Sequence, residues 1–168
     1  MRTALDTPPE SLDRVQRQFL STMRQFGWVC TAVEGRGERP PFCYTTGLWS
    51  GFGYPELILF ALELNLSQAV LKDLVDQLKA REAPPAGDPA ALFAHSQRVL
   101  LPVAPAHYGD YFEWTRWFYG GDEVPCLHLI WPDSGGAFPW QPGADARSRG
   151  LQPDLTAAGW ASEAPAAP

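Results

Sequence analysis

The chain predicts an α+β fold: a mainly antiparallel sheet or half-barrel packed with three to four helices around one core. Three observations carry this reading. The segments follow the order α-β-β-β-α-α-β-α-β, which lacks the strict βαβ alternation of a doubly wound sheet. Two β-rich runs flank a turn containing two Gly and two Pro, as in a hairpin. The helical-period segments fall mostly later and do not follow every strand.

Thr7-Pro8-Pro9-Glu10 reads as a helix start, with Thr7 as cap, Pro8 in the first turn and Glu10 closing a capping box. Leu12, Val15, Phe19, Met23 and Phe26 recur at three- and four-residue spacing and would lie on the core, and Gly27 ends the helix. Residues 28–34 and 42–48 are the hairpin strands. Residues 49–54 read as a glycine-punctuated loop. Pro55-Glu56 opens a third strand over 57–62, whose unbroken apolar run implies burial on both faces.

Ser67 is placed to cap the next helix, whose inner stripe is Val70, Leu71, Leu74, Val75 and Leu78. A Pro/Ala/Gly linker covers 82–89, and a short helix runs from Asp88-Pro89 to about His95. Residues 98–103 form a strand in which Pro102 favours an edge or an end. The aromatic segment 107–119 reads as a helix enclosed by the domain or covering a pocket or partner surface. Residues 124–131 form a buried strand, and Asp133-Ser134-Gly135-Gly136 is a turn. In the last 28 residues, 15 are Ala, Gly or Pro, a composition that offers little surface to bury. The expected division is therefore one globular domain over 7–140 and a mostly disordered tail over 141–168.

Hydrophobic residues make up 45% of 168, enough for a core. The net charge of -6, with 13 scattered Lys and Arg, disfavours nucleic-acid binding. No apolar run reaches the roughly 20 residues that span a bilayer, and Glu10 and Asp13 interrupt any leader-like stretch. A cytoplasmic location is expected, with no membrane partner. Cys30, Cys43 and Cys126 read as buried thiols in a reducing compartment.

Strong catalytic signatures are missing. Gly51-Phe52-Gly53 lacks a third dinucleotide-binding glycine, no phosphate loop is present, and Ser50 lacks the flanking glycines of a nucleophile elbow. Cys126 and His128 alone are too few for zinc, so no metal is expected, and no cofactor is identifiable.

Several residues carry two readings. Tyr44 and its neighbours Thr45 and Thr46 could line a ligand site beside Gly47, or be ordinary strand formers. Glu56 is either a solvated strand start or an acid aimed into a site. His128 reads more naturally as a hydrogen-bonded core residue than as a base. Asp133 reads as a turn acceptor before a catalytic carboxylate. Trp131 precedes it at the strand's end.

Gly27-Trp28, Tyr44-Thr45-Thr46-Gly47-Leu48, Pro55-Glu56-Leu57, Trp131-Pro132-Asp133 and Phe138-Pro139-Trp140 occur in that order, followed by Gln152-Pro153-Asp154-Leu155. Together they resemble the domain-of-unknown-function 4262 family over roughly residues 20–155. The resemblance implies a single-domain bacterial protein and transfers no activity, cofactor or catalytic residue. The family often has an aliphatic residue at Thr46, a histidine at Tyr54 and a glutamine at His128. The last departure implies that His128 inherits a hydrogen-bonding role.

Two functions follow as expectations. One is a small-molecule-binding domain, with enzymatic activity left open, whose pocket gathers Tyr44, Thr45, Glu56, His128, Trp131 and Asp133. The other is a protein-interaction module, immunity-like or regulatory, using an exposed aromatic face that includes Trp114 and Trp117.

Overall fold

The computed structural model describes residues 1–80 and 98–164. The expected linker at 82–89 and the short helix after Asp88 lie outside the described residues. Five strands, β1 (Val29–Val33), β2 (Phe42–Thr46), β3 (Glu56–Phe60), β4 (Val99–Pro102) and β5 (Cys126–Ile130), form one open sheet in the order β1-β2-β3-β5-β4. All neighbours are antiparallel except β3 and β5, which run parallel with Glu56 beside Cys126 and Ile58 beside His128. The fold is α+β.

Alternation along the strands loads each face of the sheet with different side chains. Cys43, Leu57, Leu59, Leu100 and Leu129 meet Leu71, Leu74 and Val75 from the long helix Leu64–Ala80. The other face is aromatic: Phe42, Tyr44, Ile58, Phe60 and Cys126 meet Tyr108, Phe112 and Leu155. Residues 105–119 cover that face as short turns of helix, Tyr108–Tyr111 and Glu113–Tyr119, and not as one continuous helix. We label the helices α1 (Arg14–Phe26), α2 (Leu48–Phe52), α3 (Leu64–Ala80), α4 (Tyr108–Tyr111), α5 (Glu113–Tyr119), α6 (Ala146–Leu151) and α7 (Trp160–Glu163).

Three local expectations need correction. The first helix starts at Arg14: Pro9–Ser11 supports only one 3-10 turn, and Asp13 makes the capping box with Gln16. Its buried residues are Phe19, Leu20 and Met23, whereas Val15 and Phe26 are 55% and 51% exposed. The expected loop after Leu48 is α2, a short helix bounded by Gly47 and Gly53. Ser67 does not cap α3, because the helix begins at Leu64 and buries Ser67 inside its first turns.

The chain beyond Trp140 packs against the sheet at several points. Gln152, Leu155 and Thr156 are buried, and Trp160 joins Phe138 and Trp140 over Val99, Leu101 and Ile130. No helix among the described residues is long and apolar enough to cross a membrane.

Candidate functional site

Glu56 is the first residue of β3 and is completely buried. Its carboxylate meets four donors. Thr45 Oγ1 donates to Oε2 at 2.7 Å, while Gly47 N, Trp49 N and Tyr119 Oη donate to Oε1 at 2.8, 3.1 and 2.6 Å. Thr45 Oγ1 also accepts the Leu57 N–H at 2.8 Å, so the hydroxyl is used in both directions. Since Gly47 and Trp49 begin α2, a side chain from the neighbouring strand satisfies amides that α2 itself leaves unpaired. Burial raises the Glu56 carboxyl above its ordinary range, and the bonds from Thr45, Tyr119, Trp49 and Gly47 pull the other way. The Tyr119 phenol is likewise raised, first by burial and then by the charge of Glu56.

A second set of hydroxyls joins α5 to β2. Tyr44 Oη accepts the Trp114 N–H at 3.2 Å, and its ring packs edge-on against Phe112. Thr46 and Thr115 share a hydrogen bond of 2.7 Å, and Thr115 Oγ1 donates to the Thr45 carbonyl at 3.0 Å. Thr45 and Glu56 therefore belong to one interior network, and Tyr44 holds the Trp114 N–H beside it, so that these polar atoms are occupied by the protein itself. Tyr119, the partner of Glu56 at 2.6 Å, ends the aromatic run of residues 107–119. The signal was present in the sequence as a phenol at the end of that run, but nothing local ties it to an acid 63 positions away.

His128 sits at the middle of β5, buried against the edge of Phe60 with ring centroids 5.1 Å apart. The hydrogen-bonding role expected of it is not fulfilled: among the described residues neither ring nitrogen has a partner. The apolar strands on both sides supply no polar group at its height. Burial lowers its pKa to about 3, with Asp154 the charge acting in the opposite direction. The imidazole is therefore neutral at ordinary pH.

Trp131 and Asp133 follow β5 at its carboxyl end. Trp131 exchanges two backbone bonds with one side chain, its N–H to Gln152 Oε1 at 3.2 Å and its carbonyl from Gln152 Nε2 at 2.9 Å. Asp133 accepts from Gly135 N and Ala137 N through Oδ1 and from Asp145 N through Oδ2, at 2.8, 3.0 and 2.8 Å. These amides, that of Asp145 foremost, hold its carboxyl below the usual range. Around the two residues lies a hollow of about 190 Å³ whose wall includes Ala61, Arg147, Ser148, Leu151 and Gln152. Ala61 follows the carboxyl end of β3 at φ 67, a left-handed conformation that costs a non-glycine residue about 1–3 kcal/mol.

The six candidates do not share one cavity. Because β3 and β5 run parallel, Glu56 at the start of one and Trp131 after the end of the other are separated by a full strand, roughly 16 Å at 3.3 Å per residue. His128 lies between them in packed apolar surroundings. A second hollow, of about 340 Å³, opens between Thr3 and Ala4 on one side and Trp117, Tyr119 and Gly120 on the other. Among the described residues no group of three or more His, Cys, Asp or Glu side chains is gathered as metal ligands would be.

Fold and geometry together define a single-sheet α+β domain with one parallel strand pair and a concave surface at that pair's carboxyl end. The chain belongs to the family described as Domain of unknown function (DUF4262), whose model matches residues 22–145. The match takes in all six candidates and stops short of Gln152. No curated protein and no solved structure matches the chain.

Proposed function

We propose that this protein is a small-molecule-binding domain whose site is the hollow beside Trp131. The observation that carries this reading is the position of the hollow. It lies outside the carboxyl ends of the parallel pair β3 and β5, where open sheets commonly bind ligands because loops diverge there. A volume of about 190 Å³ is below the roughly 300–1,000 Å³ of drug-sized sites, so the occupant is a small metabolite.

The lining also restricts its chemistry. All three Asp133 contacts come from backbone amides, and Asp145 accepts the Ser148 N–H. Arg147 has no ion pair among the described residues. A ligand with an anionic group for Arg147 and an apolar part for the Trp131 indole fits these partners best. Tyr44, Thr45, Glu56 and His128 take no part in it.

Thermal-shift screening of the full chain against small carboxylates and phosphorylated metabolites tests the reading. A stabilising ligand whose effect disappears in Arg147→Ala supports it. Equal shifts in wild type and variant, or none across the panel, would sink it. The interaction-module alternative has less support, because Trp114 stacks on Phe19 at 4.9 Å and Trp117 packs edge-on against both.

A further inference from the structure

The hairpin carries a pair of thiols that neither the Glu56 network nor the hollow uses. Cys30 lies on β1 opposite Thr45, and Cys43 lies on β2 opposite Ala32. Cys30 and Cys43 are thus diagonal neighbours, and the pleat turns both toward the face covered by α3. Cys43 is fully buried there, with the Ser67 hydroxyl of α3 at its side, whereas Cys30 is half-buried on a strand at the edge of the sheet. Cys126 is on the opposite face, among the aromatic side chains.

We propose that Cys30 and Cys43 form a cross-strand dithiol that hydrogen peroxide oxidises to an intramolecular disulfide. The Cys30 sulfur, the more accessible of the two, attacks one peroxide oxygen, the O–O bond breaks, and the leaving hydroxide takes the thiol proton to become water. The resulting sulfenic acid is attacked by the Cys43 sulfur, whose thiol proton leaves with the displaced hydroxyl as a second water. Two thiols are oxidised and one peroxide is reduced to two waters. Diagonal neighbours sit about 7–8 Å apart at Cα, a little wider than the roughly 4.4–6.8 Å that a disulfide spans. Closure therefore slides β1 along β2, since the two strands are already at hydrogen-bonding separation and the excess distance is the offset along them. An edge strand can make that shift because no further strand among the described residues holds its outer side. A bond closed against such resistance is also readily reduced again.

The test is a peptide map of the reduced full-length chain after brief exposure to a small excess of hydrogen peroxide, denaturation, alkylation and trypsin digestion. Arg36, followed by Gly37, lies between the two cysteines, so cleavage there separates them unless a disulfide joins them. The expected result is a Cys30–Cys43 cross-linked pair with Cys126 alkylated, reversed by dithiothreitol, unchanged in Cys126→Ser and absent in Cys43→Ser. Recovery of Cys30 and Cys43 as alkylated thiols, their separate over-oxidation, or a cross-link to Cys126 or to another chain would overturn the proposal. The wild-type map decides the matter even if Cys43→Ser does not fold.

Discussion

Tyr119 donates its phenolic hydrogen to Glu56 Oε1 at 2.6 Å, joining the last residue of α5 to the first residue of β3. With Thr45, Gly47 and Trp49 it completes a ring of donors around a buried acid that has no ion-pair partner among the described residues. The acid thereby fixes where β2 ends, where α2 begins and how α5 lies on the sheet.

Glu56→Gln tests that role with almost no change in volume. The site presents four donors, and an amide offers one accepting oxygen and a nitrogen that must itself donate. With its oxygen toward Gly47, Trp49 and Tyr119 the amide turns its nitrogen to Thr45, whose hydroxyl must change from donor to acceptor, and all four bonds lose the carboxylate charge. The expected loss is about 2–4 kcal/mol in urea unfolding at unchanged m-value. Tyr119→Phe removes one donor and should cost about 1–2 kcal/mol. A Gln variant as stable as wild type would contradict the network.

Gly47 makes a sharper test of the same corner. It sits at φ +112, and a Cβ there would meet the Gly27 carbonyl oxygen at 2.7 Å and the Trp28 Cα at 3.0 Å. Gly47→Ala should cost more than about 2 kcal/mol, since both strain and a backbone clash must be relieved. Gly53→Ala, at φ +65 with nothing within 4 Å, should cost only about 1 kcal/mol. Chemical denaturation of the two variants side by side gives the comparison, and equal losses would contradict the close approach of Gly47 to α1.

His128 predicts a dependence on pH. Its folded pKa, about 3, is below the ordinary 6.5, so the unfolded chain takes up the proton first. The stability linked to the neutral ring is complete above about pH 6.5 and is lost as pH falls toward 3, on the order of 5 kcal/mol in all. Glu56 acts in the opposite sense: its raised pKa favours the fold below the ordinary carboxyl range and withdraws that contribution as pH rises through the folded value. The difference between wild type and His128→Leu isolates the histidine. Parallel stability curves for the two between pH 7 and 4 would contradict a buried neutral ring.

Gln152→Ala removes both bonds to the Trp131 backbone. Amide hydrogen exchange at Trp131 should accelerate, with a stability loss of about 1–3 kcal/mol. Unchanged protection at Trp131 would mean that the strand end holds its shape without Gln152.

The hairpin, the buried third strand and the α+β class were legible because each rests on local periodicity and turn chemistry. The first helix start was misplaced because Thr7-Pro8-Pro9 and Asp13-x-x-Gln16 both imitate a helix N-terminus, and only the second is followed by an uninterrupted helix. The Leu48–Phe52 helix does not show in the sequence, because glycines punctuate it and its leading amides depend on Glu56. Of the candidate residues, Tyr44, Thr45, Glu56 and His128 are buried, while Trp131 and Asp133 are only partly covered, and the topology does not bring the six together. A parallel β3–β5 pair sends Glu56 and Trp131 to opposite ends, and parallel pairing across a long connection leaves no mark on either strand's sequence. Tyr119 and Gln152, which complete the two ends, are recognisable only once the chain has folded.

The most direct measurement is a titration of the ¹⁵N-labelled full chain with the strongest ligand from the metabolite screen, followed residue by residue. The account predicts shifts centred on Trp131, Ser134, Ser148 and Gln152, including the Trp131 indole N–H, with Ser50, Trp49 and Tyr119 unmoved. Shifts centred on Ser50 and Tyr119 while the Trp131 indole stays silent would contradict it, and would move the binding site to the Glu56 end of the sheet.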